Sequence, residues 1–125
     1  MKTIISTPDA PAAIGPYSQA VEAGGLIFIS GQLPVDPATG NITGADAAQQ
    51  TEAVLKNIEA ILKSRGLSLD NVVKTTVFMA DLKEFQKMNE VYARFFAKAP
   101  PARATIEVKA LPKAALVEIE AVAAK

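Results

Sequence analysis

The sequence predicts an α+β fold, a mixed sheet with two helices packed on one of its faces. Three observations predict it. Residues 46–66 and 81–96 place apolar side chains at helical spacing behind capping residues. The other segments are short, alternating or rich in β-branched residues, and bounded by Gly and Pro. Their order, β-β-β-α-β-α-β-β, groups both helices against one sheet.

Residues 2–6 alternate weakly and read as an edge strand. Residues 7–16, with Pro8, Pro11, Gly15 and Pro16, are too constrained to be helical and deliver Tyr17 and Ser18 to the next strand. Residues 19–23 and 26–30 flank Gly24-Gly25, a two-residue hairpin signal, since the favoured turns need positive φ. The run Leu26-Ile27-Phe28-Ile29 is apolar without alternation, which implies a strand covered on both faces. It ends in Ser30-Gly31-Gln32, polar groups on a flexible backbone at a strand tip, where sites collect as readily as strands stop.

Residues 33–44 form a loop with a turn at 36–40. In the first helix Asp46 caps, Gln49 sits at the reciprocal position, and Gly66 ends the element after Lys63 and Arg65. Ala47, Thr51, Val54, Ile58 and Ile61 make one stripe, joined by Leu55 and Leu62. Residues 72–79 follow as a β-branched strand. Asp81 and Glu84 resemble a second capping box, before a stripe of Phe85, Met88, Tyr92, Phe95 and Phe96. Asn89 lies on that stripe, where an amide must find partners or face a polar pocket. The apolar tail at 121–124 and the doubly apolar strand imply that the free sheet face is covered; a homo-oligomer closing sheet on sheet is the simplest cover.

Composition narrows the chemistry. The 125 residues are 50% hydrophobic, enough for one compact domain spanning 1–125. Thirteen Lys and Arg balance thirteen Asp and Glu, which does not suit the basic face that nucleic-acid binding needs. No apolar run is long enough for a membrane span, and Pro8, Asp9 and Pro11 interrupt the signal-like start, so a cytoplasmic protein is expected. With no Cys and no His, thiol nucleophiles, Ser-His-Asp triads and Cys/His zinc sites are excluded. No nucleotide-binding glycine loop and no acidic calcium loop occurs, so neither cofactor nor metal is expected.

Residues 101–125 hold the leading candidates. They read as two strands around a turn that contains Pro112. Arg103, Thr105, Glu107 and Lys109 alternate with Ala104, Ile106 and Val108, while Glu118 and Glu120 oppose Val117, Ile119 and Ala121. Arg103 and Glu118 are thereby expected on one sheet face if the register allows. Arg binds a planar carboxylate through paired hydrogen bonds, and a positioned Glu moves protons. On these strands alone a cross-strand salt bridge is the commoner outcome.

Four motifs in order then carry a resemblance over the whole length: GPYSQAV at 15–21, LIFISGQLPVDPATG at 26–40, VKTTVFMADLKEFQKMNEVYARFF at 73–96 and PARATIEVKALPKAALVEIEA at 101–121. They resemble the RidA (YjgF) family of enamine/imine deaminases. The resemblance implies a chorismate-mutase-like fold, a homotrimer with sites in the clefts between subunits, and no cofactor. It implies hydrolysis of reactive imines such as 2-iminopropanoate, the tautomer of 2-aminoacrylate, to 2-keto acids and ammonia. Carried over by position, Arg103 holds the substrate carboxylate and Glu118 directs water. Tyr17, Ser30, Gly31, Asn89 and Thr105 line the pocket, Tyr17 from across a subunit boundary. Thr105 stands where some members have Cys, and the loop before Arg103 is short compared with some members. Glu120 is assigned to structure.

A second function fits the same cleft: a non-catalytic module that captures a 2-keto acid through Arg103 and has no need of Glu118. An interaction protein acting through its surface draws little support from a charge-balanced composition. Ribonuclease activity, ascribed to members of the family, ranks last at zero net charge and without His.

Overall fold

The computed structural model describes all of residues 1–125. The strands are β1 (Thr3–Ile5), β2 (Ala20–Ala23), β3 (Leu26–Gln32), β4 (Val72–Met79), β5 (Ala102–Glu107) and β6 (Val117–Ala124); the helices are α1 (Ala47–Lys63) and α2 (Phe85–Phe95). The element order is the one the sequence predicts. The sheet runs β1-β2-β3-β6-β4-β5, all neighbours antiparallel except β4 and β5.

That parallel pair corrects the sequence reading. Strands β5 and β6 do not pair around their turn, because α2 links β4 to β5 as a crossover and the crossover makes those two strands parallel. Strand β6 then inserts on the far side of β4, and the connection closes over the end of β4. There Val108 N–H donates to the Met79 carbonyl at 2.9 Å and Ala80 N–H to the Leu116 carbonyl at 3.0 Å.

Both helices pack on one face. Val54, Leu55, Ile58, Ile61 and Leu62 of α1 and Met88 of α2 meet Ile27, Val77, Met79, Val117 and Ile119 of the sheet, all fully buried. Truncating one of them, Ile58→Ala for example, costs ~2–5 kcal/mol through lost burial and the cavity left behind. Helix α1 starts as expected: Asp46 Oδ1 accepts from Gln49 N–H at 2.8 Å. The reciprocal bond from Gln49 reaches one residue further back, accepting from Ala45 N–H. At the second helix, Asp81 caps a single 3₁₀ turn, Leu82–Glu84, that runs into α2, and Glu84 pairs with Lys87 rather than closing a box.

Two buried amides fasten the irregular segments. Gln19 accepts from Thr7 N–H at 2.7 Å and donates to the Pro11 carbonyl at 2.8 Å, pinning the Pro-rich strap that carries Tyr17. Gln50 on α1 accepts from Leu116 N–H at 2.7 Å, setting the start of β6.

The other sheet face is bare in the single chain. Ile4, Val21, Phe28 and Val122 lie in one cross-strand row on it, and Phe28 is 46% exposed. The expectation that β3 is covered on both faces is met on the helix side only, by Ile27 and Ile29. No helix is long and apolar enough to cross a membrane.

Candidate functional site

Arg103 is opposite Thr75 in the β4–β5 register. Thr75 is buried against α2, its hydroxyl 2.7 Å from that of Tyr92, so Arg103 rises on the helix face. There its guanidinium lies 4.7 Å from the centroid of the Tyr92 ring and 5.5 Å from that of Phe85. Its Nη1 donates to Asn89 Oδ1 at 2.7 Å. The helix explains the arrangement: Phe85, Asn89 and Tyr92 are spaced four and three residues apart, so they form one patch. Asn89 is thus neither a buried structural amide nor unpartnered; it aims the arginine. Phe85 and Tyr92, which the sequence assigns to the core, also form the platform beneath it. Burial pushes the Tyr92 phenol pKa above its ordinary value, against the pull of its Thr75 hydrogen bond and of Arg103.

Thr105 shares the face of Arg103, two residues along β5, and its Oγ1 is buried with no hydrogen-bond partner. Arg103 itself takes part in none of the chain's ion pairs. The cross-strand salt bridge that the strands suggest on their own does not form.

Glu118 is opposite Phe78 in the β4–β6 register. Phe78 is three residues from Thr75, an odd step along a pleated strand, so Glu118 rises on the open face. The expected sharing of one face by Arg103 and Glu118 fails on this register, with β4 between their strands. The Glu118 carboxylate rests against Gly31. A Cβ at Gly31 would stand 3.0 Å from Glu118 Cδ and collide with the carboxylate oxygen, so a side chain at 31 and the carboxylate in this position exclude each other. Glu118 has no hydrogen-bond or ion-pair partner, and burial first, then the like charge of Glu120, raises its pKa above the ordinary carboxylate value. Arg103, on the far face, is not among the groups that shift it.

Ser30 precedes Gly31 and is largely committed to structure: its Oγ donates to the Ser18 carbonyl at 2.6 Å and its N–H to the Gln19 carbonyl at 3.0 Å. The Tyr17 hydroxyl accepts from Ile14 N–H at 3.3 Å and stays wet, with its proton free to donate. Tyr17 and Gly31 line one cleft of about 340 Å³.

One chain therefore brings the candidate residues together in two groups. Arg103, Asn89 and Thr105 form the first, on the helix face; in the second Glu118 on the open face rests against Gly31, whose cleft Tyr17 lines and beside which Ser30 stands in the chain. No group of acidic side chains is placed to hold a metal ion.

The family model for endoribonuclease L-PSP matches residues 7–125. The chain belongs to that family, the RidA (YjgF) family. A RutC family protein of Pyrococcus horikoshii is 54% identical over 125 residues, covering 100% of this chain and 99% of that one. The 2-iminobutanoate/2-iminopropanoate deaminase of Homo sapiens is 48% identical over 123 residues, 98% of this chain and 90% of that one. The crystal structure of Escherichia coli TdcF with bound serine superposes with a TM-score of 0.94 at 45% identity, covering 98% of each chain. The fold is that of the Rid proteins, as the motifs imply.

Proposed function

We propose that this protein is a 2-iminobutanoate/2-iminopropanoate deaminase that works as a homotrimer, with each site shared by two copies. The observation that carries the reading is the Arg103 guanidinium: fixed by Asn89 and Tyr92, open to solvent, and without a carboxylate partner. Its one protein hydrogen bond leaves the remaining N–H groups for a planar anion. The human relative's name supplies the reaction class, and the serine bound to the E. coli relative carries the same α-carboxylate.

In this mechanism Arg103 of one copy binds the carboxylate of the 2-imino acid and sets its C2 over the open face of a second copy. Glu118 there takes a proton from water as the water oxygen bonds to C2. Glu118 returns that proton to the nitrogen; the hydroxyl of the tetrahedral adduct then gives its own proton to the nitrogen as the C=O bond forms and the C–N bond breaks, so ammonia leaves and the 2-keto acid remains. A carboxyl of raised pKa suits both halves of this transfer. Tyr17 is the further donor facing substrate, the buried Thr105 stands two residues along β5 from Arg103, and Ser30 and Gly31 shape the wall. Because imines also hydrolyse unaided, acid–base help of ~10²–10⁴-fold plus fixed geometry is sufficient. The bare row of Ile4, Val21, Phe28 and Val122 supports association of copies. For RNA cleavage the chain offers neither a histidine nor a basic excess.

The test is a coupled assay. A serine or threonine dehydratase generates the 2-aminoacrylate or 2-aminocrotonate, and early keto-acid release is followed. Wild type accelerates it, while Arg103→Ala and Glu118→Gln do not. No acceleration by wild type, with a keto acid still bound through Arg103, moves the assignment to a binding module.

A further inference from the structure

The cleft of about 340 Å³ is lined by Tyr17 and by Gly31, the residue against which Glu118 rests, while neither Glu118 nor Arg103 lines it. Ile14, Leu33 and Val35 give it apolar lining, and Lys113 stands on its rim. Lys113 and Ala114 both have positive φ, 58° and 55°. That region is strained for a non-glycine residue, and such strain persists where the surroundings impose it, commonly beside functional sites. The Lys113 Nζ donates to the Gly40 carbonyl at 3.2 Å and has no carboxylate within ion-pair distance. The other charged group on the cleft, Asp36, also borders a separate cleft of about 560 Å³, and its Oδ1 accepts from Ala38 N–H at 2.9 Å. Asp36 and Lys113 are thus the two charges on the cleft, each with one hydrogen bond and neither in an ion pair, and of the two only Lys113 attracts an anion.

We propose that this cleft is the side-chain subsite of the deaminase centre, and that Lys113 selects 2-imino acids whose side chain ends in a second carboxylate. The inference rests on the deaminase reading and names its substrate class: imino dicarboxylates, as formed by dehydrogenation of an acidic amino acid. The chemistry is unchanged: water adds to C2, the C–N bond breaks, and ammonia and a 2-keto dicarboxylate leave. Arg103 and Lys113 each take one carboxylate.

The experiment compares two five-carbon imines, one mono- and one dicarboxylic, each generated by an amino acid oxidase with catalase. The reading is the ratio of kcat/KM, dicarboxylic over monocarboxylic. That ratio falls about fivefold in Lys113→Met, the discrimination a solvent-exposed ion pair gives, and is held by Lys113→Arg. The change sits in KM. Ala12→Trp, which fills the cleft from its exposed rim, raises KM for both five-carbon imines more than for 2-iminopropanoate. A ratio unmoved by Lys113→Met overturns the selection, and an unmoved size preference in Ala12→Trp overturns the subsite. If no imine is hydrolysed, the deaminase reading fails separately. Calorimetric binding of 2-ketoglutarate against 2-ketopentanoate then decides the cleft: about fivefold weaker preference in Lys113→Met upholds it, and no difference overturns it.

Discussion

Arg103 and Glu118 stand on opposite faces of one sheet, on strands that flank β4, at register positions Thr75 and Phe78. Within a single chain the sheet stands between them. If the two act on one substrate, each complete centre takes its arginine from one copy and its glutamate from another. Arg103→Ala and Glu118→Gln are then complementary lesions. Mixed in equal amounts, dissociated and reassembled, the two inactive variants regain about one quarter of wild-type activity, because random pairing unites an intact arginine with an intact glutamate at that frequency in a ring of identical contacts. Each variant alone stays inactive. No recovery on verified mixed oligomers would place both residues of a centre in one chain, against the register.

Glu118 makes a second, pH-based case. Burial and Glu120 raise its pKa, so the folded protein holds the proton more tightly than the unfolded chain does. Between the unfolded and folded pKa values the native state binds more protons, so stability falls as pH rises through that window and stays reduced above it. Glu118→Gln removes the penalty. Its melting temperature exceeds that of wild type at pH 7, and the gain disappears below about pH 4, where both states are protonated. Activity moves the other way: deamination by wild type declines as pH drops through a midpoint above the usual carboxylate range. Melting curves over about pH 3–8 and rate profiles over about pH 4–8 check both halves.

The register is also what the sequence leaves unread. Helical stripes, the Asp46 cap, the Gly24-Gly25 turn and the alternation of 117–122 are local patterns, and the structure bears them out, down to the buried Val117, Ile119 and Ala121; the box expected of Asp81 and Glu84 does not form. Which strand lies between β5 and β6 is a long-range matter that α2 decides by carrying the chain across, and no period within 103–109 reports it. Arg103 and Glu118 were legible as chemistry, while their separation onto two faces was not. The aromatic platform was hidden for another reason: Phe85 and Tyr92 fit a core stripe, and nothing local says that an arginine from a distant strand will lie over them.

That platform makes Asn89 the positioning residue for the arginine. Its Oδ1 holds Nη1 at 2.7 Å, and the rings hold the plane. Asn89→Ala frees a side chain whose reordering on binding costs up to ~1.5–2 kcal/mol, so KM for a 2-imino acid rises about tenfold with a smaller change in kcat. Asn89→Asp supplies a carboxylate that competes for the guanidinium, and its KM rises further. Tyr92→Phe keeps the ring but leaves the Thr75 hydroxyl buried and unpaired, so it costs ~1–3 kcal/mol of stability while KM changes little. Steady-state kinetics beside denaturant titrations separate the two effects; a rise in KM for Tyr92→Phe equal to that for Asn89→Ala would remove the special role of the amide.

Gly31 gives the sharpest test of how Glu118 is held. Its backbone does not occupy the left-handed region, so alanine meets no conformational objection there. What a Cβ meets is the Glu118 carboxylate, the mobile end of a side chain rather than a wall of backbone. The side chain can swing away, so Gly31→Ala folds with a stability within about 1 kcal/mol of wild type. In the proposed mechanism a displaced carboxylate no longer addresses the attacking water, and positional errors near an ångström cost on the order of 10²-fold in rate. Deamination therefore drops about a hundredfold in kcat while keto-acid binding through Arg103 is retained. Adding Gly31→Ala to Glu118→Gln lowers the rate no further, because the contribution that Gly31 protects is already gone; a further loss would mean that Gly31 acts on substrate directly and not through Glu118.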